Sequence, residues 1–102
     1  MPENRYRINS VYTACMLIKE MSASADPTNV VEASKLLGIS TDVAFRTFKT
    51  LEECGFVTAT QGGYVPGENL AQAWKAYRLY QKQSIERAKK ALKDTAISGE
   101  ED

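Results

Sequence analysis

The nine residues TDVAFRTFK, from Thr41 to Lys49, place hydrogen-bonding and apolar side chains at helical spacing. If this stretch forms a helix, several of these side chains turn outward together. An outward Arg46 could donate two hydrogen bonds to guanine O6 and N7, and Val43 or Phe45 could contact a thymine methyl group. The chemistry that these residues predict is therefore recognition of base edges rather than the making or breaking of bonds.

Residue types that catalysis and metal binding commonly need are scarce in this chain. It contains no histidine, which removes the commonest general base and an ordinary zinc ligand. It also lacks the nucleophile-elbow, P-loop and dinucleotide-binding glycine motifs. The two cysteines, Cys15 and Cys54, are isolated and fall on apolar positions of predicted helices, so we predict that both are reduced and buried. We expect a protein that is not an enzyme and needs no metal or cofactor.

The composition is that of a globular domain. A length of 102 residues suits one domain with a modest core, and the 43% apolar and 25% charged fractions are ordinary. The longest apolar run, Ala14 to Ile18, has five residues, whereas a membrane span needs about 20. The polar N-terminus, MPENRYRINS, lacks the apolar segment of a secretory signal. We therefore expect a cytoplasmic protein with no membrane contact.

The first part of the chain predicts two helices. The first should begin near Ser10, with Asn9 or Ser10 as its cap. Its apolar residues recur at helical spacing and form a stripe: Val11, Ala14, Cys15, Ile18 and Met21. Small residues and a proline make Ser22 to Thr28 a loop. A short second helix should start after its cap, Asn29, and end at Gly38, because glycine takes the left-handed conformation without steric cost.

A third helix and a hairpin follow. Ser40, Thr41 or Asp42 should cap the helix, and Gly55 should end it. Its buried face should consist of Ala44, Thr47, Phe48 and Leu51. Two β-prone runs, Phe56 to Thr60 and Tyr64 to Pro66, are joined by Gln61-Gly62-Gly63, which is a hairpin signal. The order of elements predicts a mainly α fold with a small β-hairpin, a winged helix-turn-helix over residues 1–67.

The rest of the chain predicts one long helix over residues 68–97, followed by a disordered acidic tail at 98–102. From Asn69 onward, 27 residues contain no glycine or proline, and a helix of that length measures about 40 Å. Between Lys75 and Lys93 seven basic residues and one acidic residue give a net charge of +6. We predict that Leu70, Trp74 and Tyr77 pack on the first helix and on a second copy of the chain. The homodimer interface should comprise Leu70, Trp74, Tyr77, Ile85, Ala88 and Leu92.

Four motifs resemble a known family when they are taken together. They are Ser-Val-x-x-Ala at Ser10 to Ala14, EASKLLGI at Glu32 to Ile39, RTFKTLEECGFV at Arg46 to Val57, and GGYVPG at Gly62 to Gly67. Over about residues 8 to 70 the chain resembles the DNA-binding domain of the isocitrate-lyase-regulator (IclR) family of bacterial transcription regulators. The resemblance implies a winged helix-turn-helix that binds DNA. Members of that family also carry a large ligand-binding domain with no counterpart here, so the resemblance implies nothing about an effector, and no small-molecule effector is evident.

The chain departs from this family at two DNA-facing places. The tip of the third helix has Asp42-Val43 where the family often has serine and threonine. The wing segment TATQGG has no charged residue, whereas family members usually have one or two. Asp42 could accept a hydrogen bond from a cytosine amine, but capping is its simpler role, since an acid in the first helical turn is stabilised by the helix dipole. An exposed Phe45 would indicate a partner, with packing on Tyr64 as the alternative.

Eight residues are the candidates for DNA contact, since the N-terminal half of the second helix of a helix-turn-helix lies in the major groove. They are Lys35, Thr41, Asp42, Val43, Phe45, Arg46, Lys49 and Gln61. Residues 1–67 nevertheless contain six basic and seven acidic residues, a net charge of −1 that is poor for neutralising phosphates. Arg5 and Arg7 lie on an N-terminal arm that could follow the DNA backbone. We therefore expect modest affinity from one domain and useful binding from a dimer.

These features predict a small dimeric transcription regulator that binds double-stranded DNA and reads the major groove with its third helix. The alternative is a winged-helix adaptor that binds proteins, which would suit a neutral surface with an exposed Phe45. A third, weaker hypothesis is a non-specific chromatin-like protein, which would bind any duplex through the long basic helix.

Overall fold

The computed structural model of the chain describes residues 4–97. Its elements in chain order are α1 (Asn9–Met21), α2 (Val30–Leu37), α3 (Thr41–Glu53), β1 (Val57–Thr60), β2 (Gly63–Pro66) and α4 (Glu68–Asp94). The predicted fold class is confirmed: a mainly helical chain with one antiparallel hairpin and a long C-terminal helix. One compact unit ends at Ala71 and a second begins at Gln72. The predicted disorder of residues 98–102 concerns positions outside the described range.

Local signals set the ends of α2 and α3 as predicted. The Asn29 side chain accepts hydrogen bonds from the backbone N–H groups of Val31 and Glu32, which caps α2. Gly38 follows the helix in the left-handed conformation, with φ of 66°. Among the three caps considered for α3, Ser40 is the one used: its Oγ accepts from the backbone N–H of Val43 at 3.0 Å.

The prediction for α1 was wrong in two respects. The helix begins at Asn9 after Ile8, and no side chain caps it, so neither Asn9 nor Ser10 is a cap. The buried stripe is also rotated: Leu17 and Met21 are buried, with Ala14 and Ile18 partly buried beside them. These four residues follow the i, i+3, i+4, i+7 spacing of one helix face, whereas Val11 is 56% exposed.

Both cysteines are exposed, which contradicts the prediction that they are buried. Cys15 lines an open apolar groove between α1 and α3, together with Val11 and Phe56. Cys54 lies at the C-terminal cap of α3, just past the last helical residue. Both errors have the same physical origin, since an apolar position near a helix end or on a mostly apolar helix need not face the core.

The core of the first unit is formed where α3 packs against α1, α2 and β1. The buried cluster consists of Leu17, Met21, Ala33, Phe48, Leu51, Val57 and Tyr64. The rings of Phe48 and Tyr64 stack with their centroids 4.5 Å apart and their planes within 2°. This pair fixes β2, and therefore the wing, to the buried face of α3. Of the predicted buried face of α3, Thr47 alone is only partly buried.

A residue outside the two hairpin strands also pairs with the wing, which the sequence did not predict. Val57 pairs with Pro66 and Thr60 with Gly63, so the turn is Gln61-Gly62. Thr28, in the predicted loop, forms an antiparallel bridge with Tyr64 through two backbone hydrogen bonds of 2.8 and 2.9 Å. Gly63 makes this approach possible, because it has φ of 140° and a Cβ at that position would collide with the Thr28 carbonyl.

Candidate nucleic-acid interface

The helix α3 presents one buried and one exposed face. Ala44, Phe48 and Leu51 are buried, which holds the helix in place by its inner side. The remaining positions of its N-terminal half turn toward solvent, as the spacing requires. With α2 and the turn at Gly38, α3 forms the second helix of a helix-turn-helix, the element that enters the major groove in DNA-binding proteins of this type.

All eight candidate residues are exposed: Lys35, Thr41, Asp42, Val43, Phe45, Arg46, Lys49 and Gln61. The side chain of Arg46 is 77% exposed, and Phe45 is 48% exposed. Six of the eight lie on α3, Lys35 lies in the last turn of α2, and Gln61 lies in the turn of the wing. The structure therefore brings an arginine, a lysine and two apolar side chains onto one solvent-facing surface, which we call the α3 face (residues 41–49, without the buried positions).

The two bases of α3 are paired with acids on the same helix. Arg46 Nη1 lies 3.8 Å from Asp42 Oδ2, and Lys49 Nζ lies 3.0 Å from Glu52 Oε1. The hydrogen bond from Lys49 to Glu52, helped by the charge of that carboxylate, raises the pKa of Lys49. These pairs are solvent-exposed, so each contributes little to stability. In the free protein, acids on the same helix therefore balance the positive charges of the α3 face. Because these pairs are weak, Arg46 and Lys49 can leave them for another partner at little cost in free energy.

Phe45 is not the stacking partner of the wing. The Tyr64 ring is buried and stacks on Phe48 instead, so the predicted alternative role for Phe45 has no support. The ammonium of Lys49 lies 6.0 Å from the centre of the Phe45 ring, at the outer limit of a cation–π contact. Phe45 thus remains an aromatic side chain that is half exposed beside two bases.

The wing and the N-terminal arm add little free positive charge. No charged residue occurs from Val57 to Pro66, and Gln61 is the polar tip of the hairpin. On the arm, the Arg5 guanidinium donates to the Tyr6 hydroxyl at 2.8 Å, and the Arg7 guanidinium lies 4.0 Å from the centre of the Tyr12 ring. The arm on which these arginines lie is predicted to follow the DNA backbone, whereas each arginine contacts a tyrosine of its own chain. The tyrosines next to them and on the first turn of α1 were the signal of local arginine–tyrosine stacking.

The helix α4 is long, basic and without a buried residue. Trp74 and Tyr77, predicted to pack on the first helix, are 59% and 56% exposed. Their rings stack on each other with centroids 5.7 Å apart. Further along, the Arg87 guanidinium lies over the Tyr80 ring and donates to Ser84 Oγ at 2.9 Å. The described part of α4 therefore offers aromatic and basic surface together.

Neither a metal centre nor a membrane span is found within residues 4–97. This part of the chain has no group of three or more His, Cys, Asp or Glu that could hold a metal ion. None of its helices is both long and apolar enough to cross a bilayer.

Comparison with solved structures gives a match over nearly the whole chain. A transcriptional regulator from Oenococcus oeni superposes with a TM-score of 0.52, covering 95% of this chain and 86% of that one at 16% sequence identity. The chain shares its fold with this regulator. No protein-family model and no curated protein matches the sequence. The likeness extends to the fold, and the resemblance to the IclR family stays a prediction.

Proposed function

We propose that this protein is a transcription regulator that binds double-stranded DNA as a homodimer, with the N-terminal half of α3 in the major groove. The observation that carries the proposal is the exposed Arg46 side chain on the second helix of a helix-turn-helix, with Val43 and Phe45 exposed beside it. The fold shared with a solved transcriptional regulator supports the same reading.

Base recognition by Arg46 requires it to leave Asp42. The exposed ion pair between them is worth at most about 1 kcal/mol. Two hydrogen bonds to guanine O6 and N7 are worth about 1–3 kcal/mol of discrimination. The exchange therefore favours DNA where a guanine is correctly placed, whereas at other bases Arg46 keeps Asp42 as its partner. At unrelated sequences Asp42 stays paired with Arg46 and offsets its charge, so Arg46 adds little to non-specific attraction for the phosphates.

Phosphate contacts position the protein without reading sequence. Lys49 suits this role, because its side chain is exposed on α3 and every ordinary lysine is charged at neutral pH, and Lys35 lies on the neighbouring helix α2. With Lys35 and Lys49 and an uncharged wing, one copy of the protein makes few contacts to phosphate. A homodimer doubles this number, and its two α3 helices would reach half-sites one turn, about 34 Å, apart. The proposed dimer surface is the apolar side of α4, namely Leu70, Trp74, Tyr77, Ile85, Ala88 and Leu92.

The test is selection of bound duplexes from a random pool at about 150 mM salt, where non-specific binding is weakened. We expect a palindromic site with half-sites one helical turn apart. On the selected site, Arg46→Ala should cost about 1–3 kcal/mol of binding free energy and relax the preference at one base pair per half-site. Lys19→Ala, which removes an exposed base from the last turn of α1, is the matched control and should leave the preference unchanged.

The same experiment separates the competing functions. A pool that shows no enrichment, together with no effect of Arg46→Ala, would favour the protein-binding adaptor. Equal affinity for all duplexes with a steep salt dependence would favour the non-specific chromatin-like protein.

A further inference from the structure

The apolar stripe of α4 is symmetric about the middle of the helix. α4 runs from Glu68 to Asp94, so Gln81 is its central residue, with thirteen residues on either side. Counted outward from Gln81, six apolar residues come in pairs at four, seven and eleven positions: Tyr77 and Ile85, Trp74 and Ala88, Leu70 and Leu92; Leu79 and Tyr80 lie outside this stripe. At 3.6 residues per turn, all of these positions fall within an arc of about 80°.

We propose that α4 pairs in antiparallel orientation with α4 of a second copy, around a twofold axis that passes beside Gln81. This inference rests on the homodimer proposed above and specifies its orientation and register. In an interface between identical copies, if residue i contacts residue j, then j contacts i. Here Trp74 of each copy faces Ala88 of the other, Tyr77 faces Ile85, and the two Gln81 side chains meet on the axis.

The sizes of the facing side chains support this orientation. The stacked rings of Trp74 and Tyr77, with planes 14° apart, present a broad flat surface on the N-terminal half of the stripe. The C-terminal half has the small residue Ala88 at the position that would contact Trp74 of the other copy. A parallel pair in register would instead place tryptophan against tryptophan and alanine against alanine, which crowds one end and leaves a void at the other.

The exposed area of the stripe reaches about the minimum that a specific pair needs. Trp74, Tyr77, Ile85 and Leu92 are each between 54% and 61% exposed. A buried aromatic side chain covers about 150–250 Å², so the four aromatic residues of two copies would bury several hundred Å². With the aliphatic residues of both copies the total is on the order of 1,000 Å², the lower range of specific interfaces.

Gln81 fixes the register of such a pair. Its side-chain amide has both donors and acceptors, so two Gln81 residues on the axis can bond to each other. A pair shifted along the helix would place each amide against an apolar side chain without a partner, which is unfavourable. A single polar residue in an apolar seam sets register in coiled coils in the same way.

The antiparallel pair also gathers positive charge. Arg78, Lys82 and Lys89 lie to one side of the stripe, and Tyr80, Ser84 and Ala91 lie to the other. A twofold axis perpendicular to both helices leaves each side facing the same way in both copies. Arg78, Lys82 and Lys89 of the two copies therefore share one face of the pair, which suits a polyanion such as the DNA backbone, whereas Arg87 lies on the side of Tyr80 and Ser84.

Cysteine cross-linking of the full-length chain tests the orientation, after Cys15→Ser and Cys54→Ser remove the native exposed thiols. Chains with Tyr77→Cys and chains with Ile85→Cys should form disulfide-linked dimers when mixed, and neither should link to itself. In the proposed pair the two copies of position 77 are about 12 Å apart along the axis. A disulfide requires Cβ atoms within about 4.5 Å. Gln81→Cys alone should link.

Exchange of side-chain size tests the register. Ala88→Trp should weaken dimerisation about tenfold or more, because two tryptophans then compete for one space. Adding Trp74→Ala to the same chain should restore most of the lost affinity. Ala76→Trp, on the opposite side of the helix, is the matched control and should leave the dimer intact. Sedimentation of dilution series measures all three variants.

The outcomes also separate this inference from the proposed function. The antiparallel pair is overturned if chains with Ile85→Cys form disulfides with each other when no Tyr77→Cys chain is present. It is also overturned if the protein stays monomeric at every concentration measured. A correctly cross-linked dimer that enriches no duplex overturns the DNA-binding function and leaves the pair standing. Arg46→Ala should not change the cross-linking pattern.

Discussion

The first compact unit, ending at Ala71, and the part of α4 beyond it differ in how far their apolar residues are buried. The first unit has a buried core and places Phe48 at its centre, whereas α4 has no buried residue at all. Their charges also differ: residues 1–67 have a net charge of −1, whereas Lys75 to Lys93 have a net charge of +6. In the proposed function the two regions therefore contribute differently to DNA binding. The helix α3 supplies the contacts to bases, and α4 supplies positive charge and the dimer surface.

This difference has a consequence for folding. An isolated helix is marginally stable in water unless an apolar face is covered, because nucleation is unfavourable and propagation gains little per residue. The first unit covers its apolar faces within one chain. The exposed stripe of α4 acquires its cover from the second copy in the proposed pair, so the order of α4 should depend on protein concentration.

The largest effect expected from one substitution is in the first unit. Phe48→Ala should lower the free energy of unfolding by about 3–5 kcal/mol, since Phe48 is fully buried and stacks on Tyr64. Phe45→Ala, three residues earlier and half exposed, should lower it by less than about 1 kcal/mol. Urea unfolding followed by circular dichroism measures both.

The helix α4 gives the contrasting control. Trp74→Ala should leave the unfolding of the first unit unchanged when the protein is dilute enough to be monomeric. If Phe45→Ala and Phe48→Ala destabilised the protein equally, the inner and outer faces of α3 would be wrongly assigned, and the proposed α3 face would be lost with them.

The second expected effect concerns the wing. Gly63→Ala should destabilise the first unit by about 1–3 kcal/mol, because its φ of 140° suits glycine and the added Cβ would collide with the Thr28 carbonyl. Gly62→Ala is the matched control, since a Cβ there meets the Pro27 side chain at an ordinary 3.5 Å. Thermal unfolding compares the two. Equal stability would mean that the bridge between Thr28 and Tyr64 does not hold the wing.

Helix caps and helix ends that depend on a few neighbouring residues could be predicted from the sequence. Asn29 and Ser40 cap helices, and Gly38 ends one, because capping and left-handed backbone depend on neighbouring residues alone. The outward face of α3 was also predicted from local spacing, because Ala44, Phe48 and Leu51 recur at i, i+4 and i+7 and form the buried face. The ion pairs of Arg46 with Asp42 and of Lys49 with Glu52 follow i, i+4 and i, i+3 spacing and could have been predicted too.

The buried stripe of α1 and the bridge between Thr28 and Tyr64 could not be predicted from the sequence, for different reasons. The stretch VYTACMLI in α1 is apolar on most of its circumference, so its periodicity does not distinguish a stripe containing Val11 and Cys15 from the true one containing Leu17. The bridge from Thr28 to Tyr64 joins residues 36 positions apart. Nothing near Thr28 signals it, and Gly63 is explained by the bridge only once both are placed together.

A smaller effect should distinguish the charges of the two regions. If Lys82 contacts a phosphate, Lys82→Gln should reduce the slope of log affinity against log salt by about 0.9 per copy and leave the preferred sequence unchanged. Arg46→Ala should alter the preferred sequence instead. Titrations of a fluorescent duplex at several salt concentrations measure both. A changed sequence preference in Lys82→Gln would mean that α4, and not α3 alone, reads bases.

The smallest effect concerns the pair formed by Lys49 and Glu52. Because the hydrogen bond to Glu52 raises the pKa of Lys49 in the folded protein, the pair stabilises the fold fully below the pKa of an unfolded lysine, and this contribution is lost as pH rises through the raised value. The window is therefore alkaline, above about pH 10. Titration of the lysine side chains by NMR should show a lower pKa for Lys49 in Glu52→Gln than in the parent chain. Since the Lys49 ammonium is exposed to solvent, we expect a change in the titration without a measurable change in stability at neutral pH. A neutral-pH loss of stability in Glu52→Gln would instead show that Glu52 supports the packing of α3, and Lys49 would then be less free to turn toward DNA than its exposure indicates.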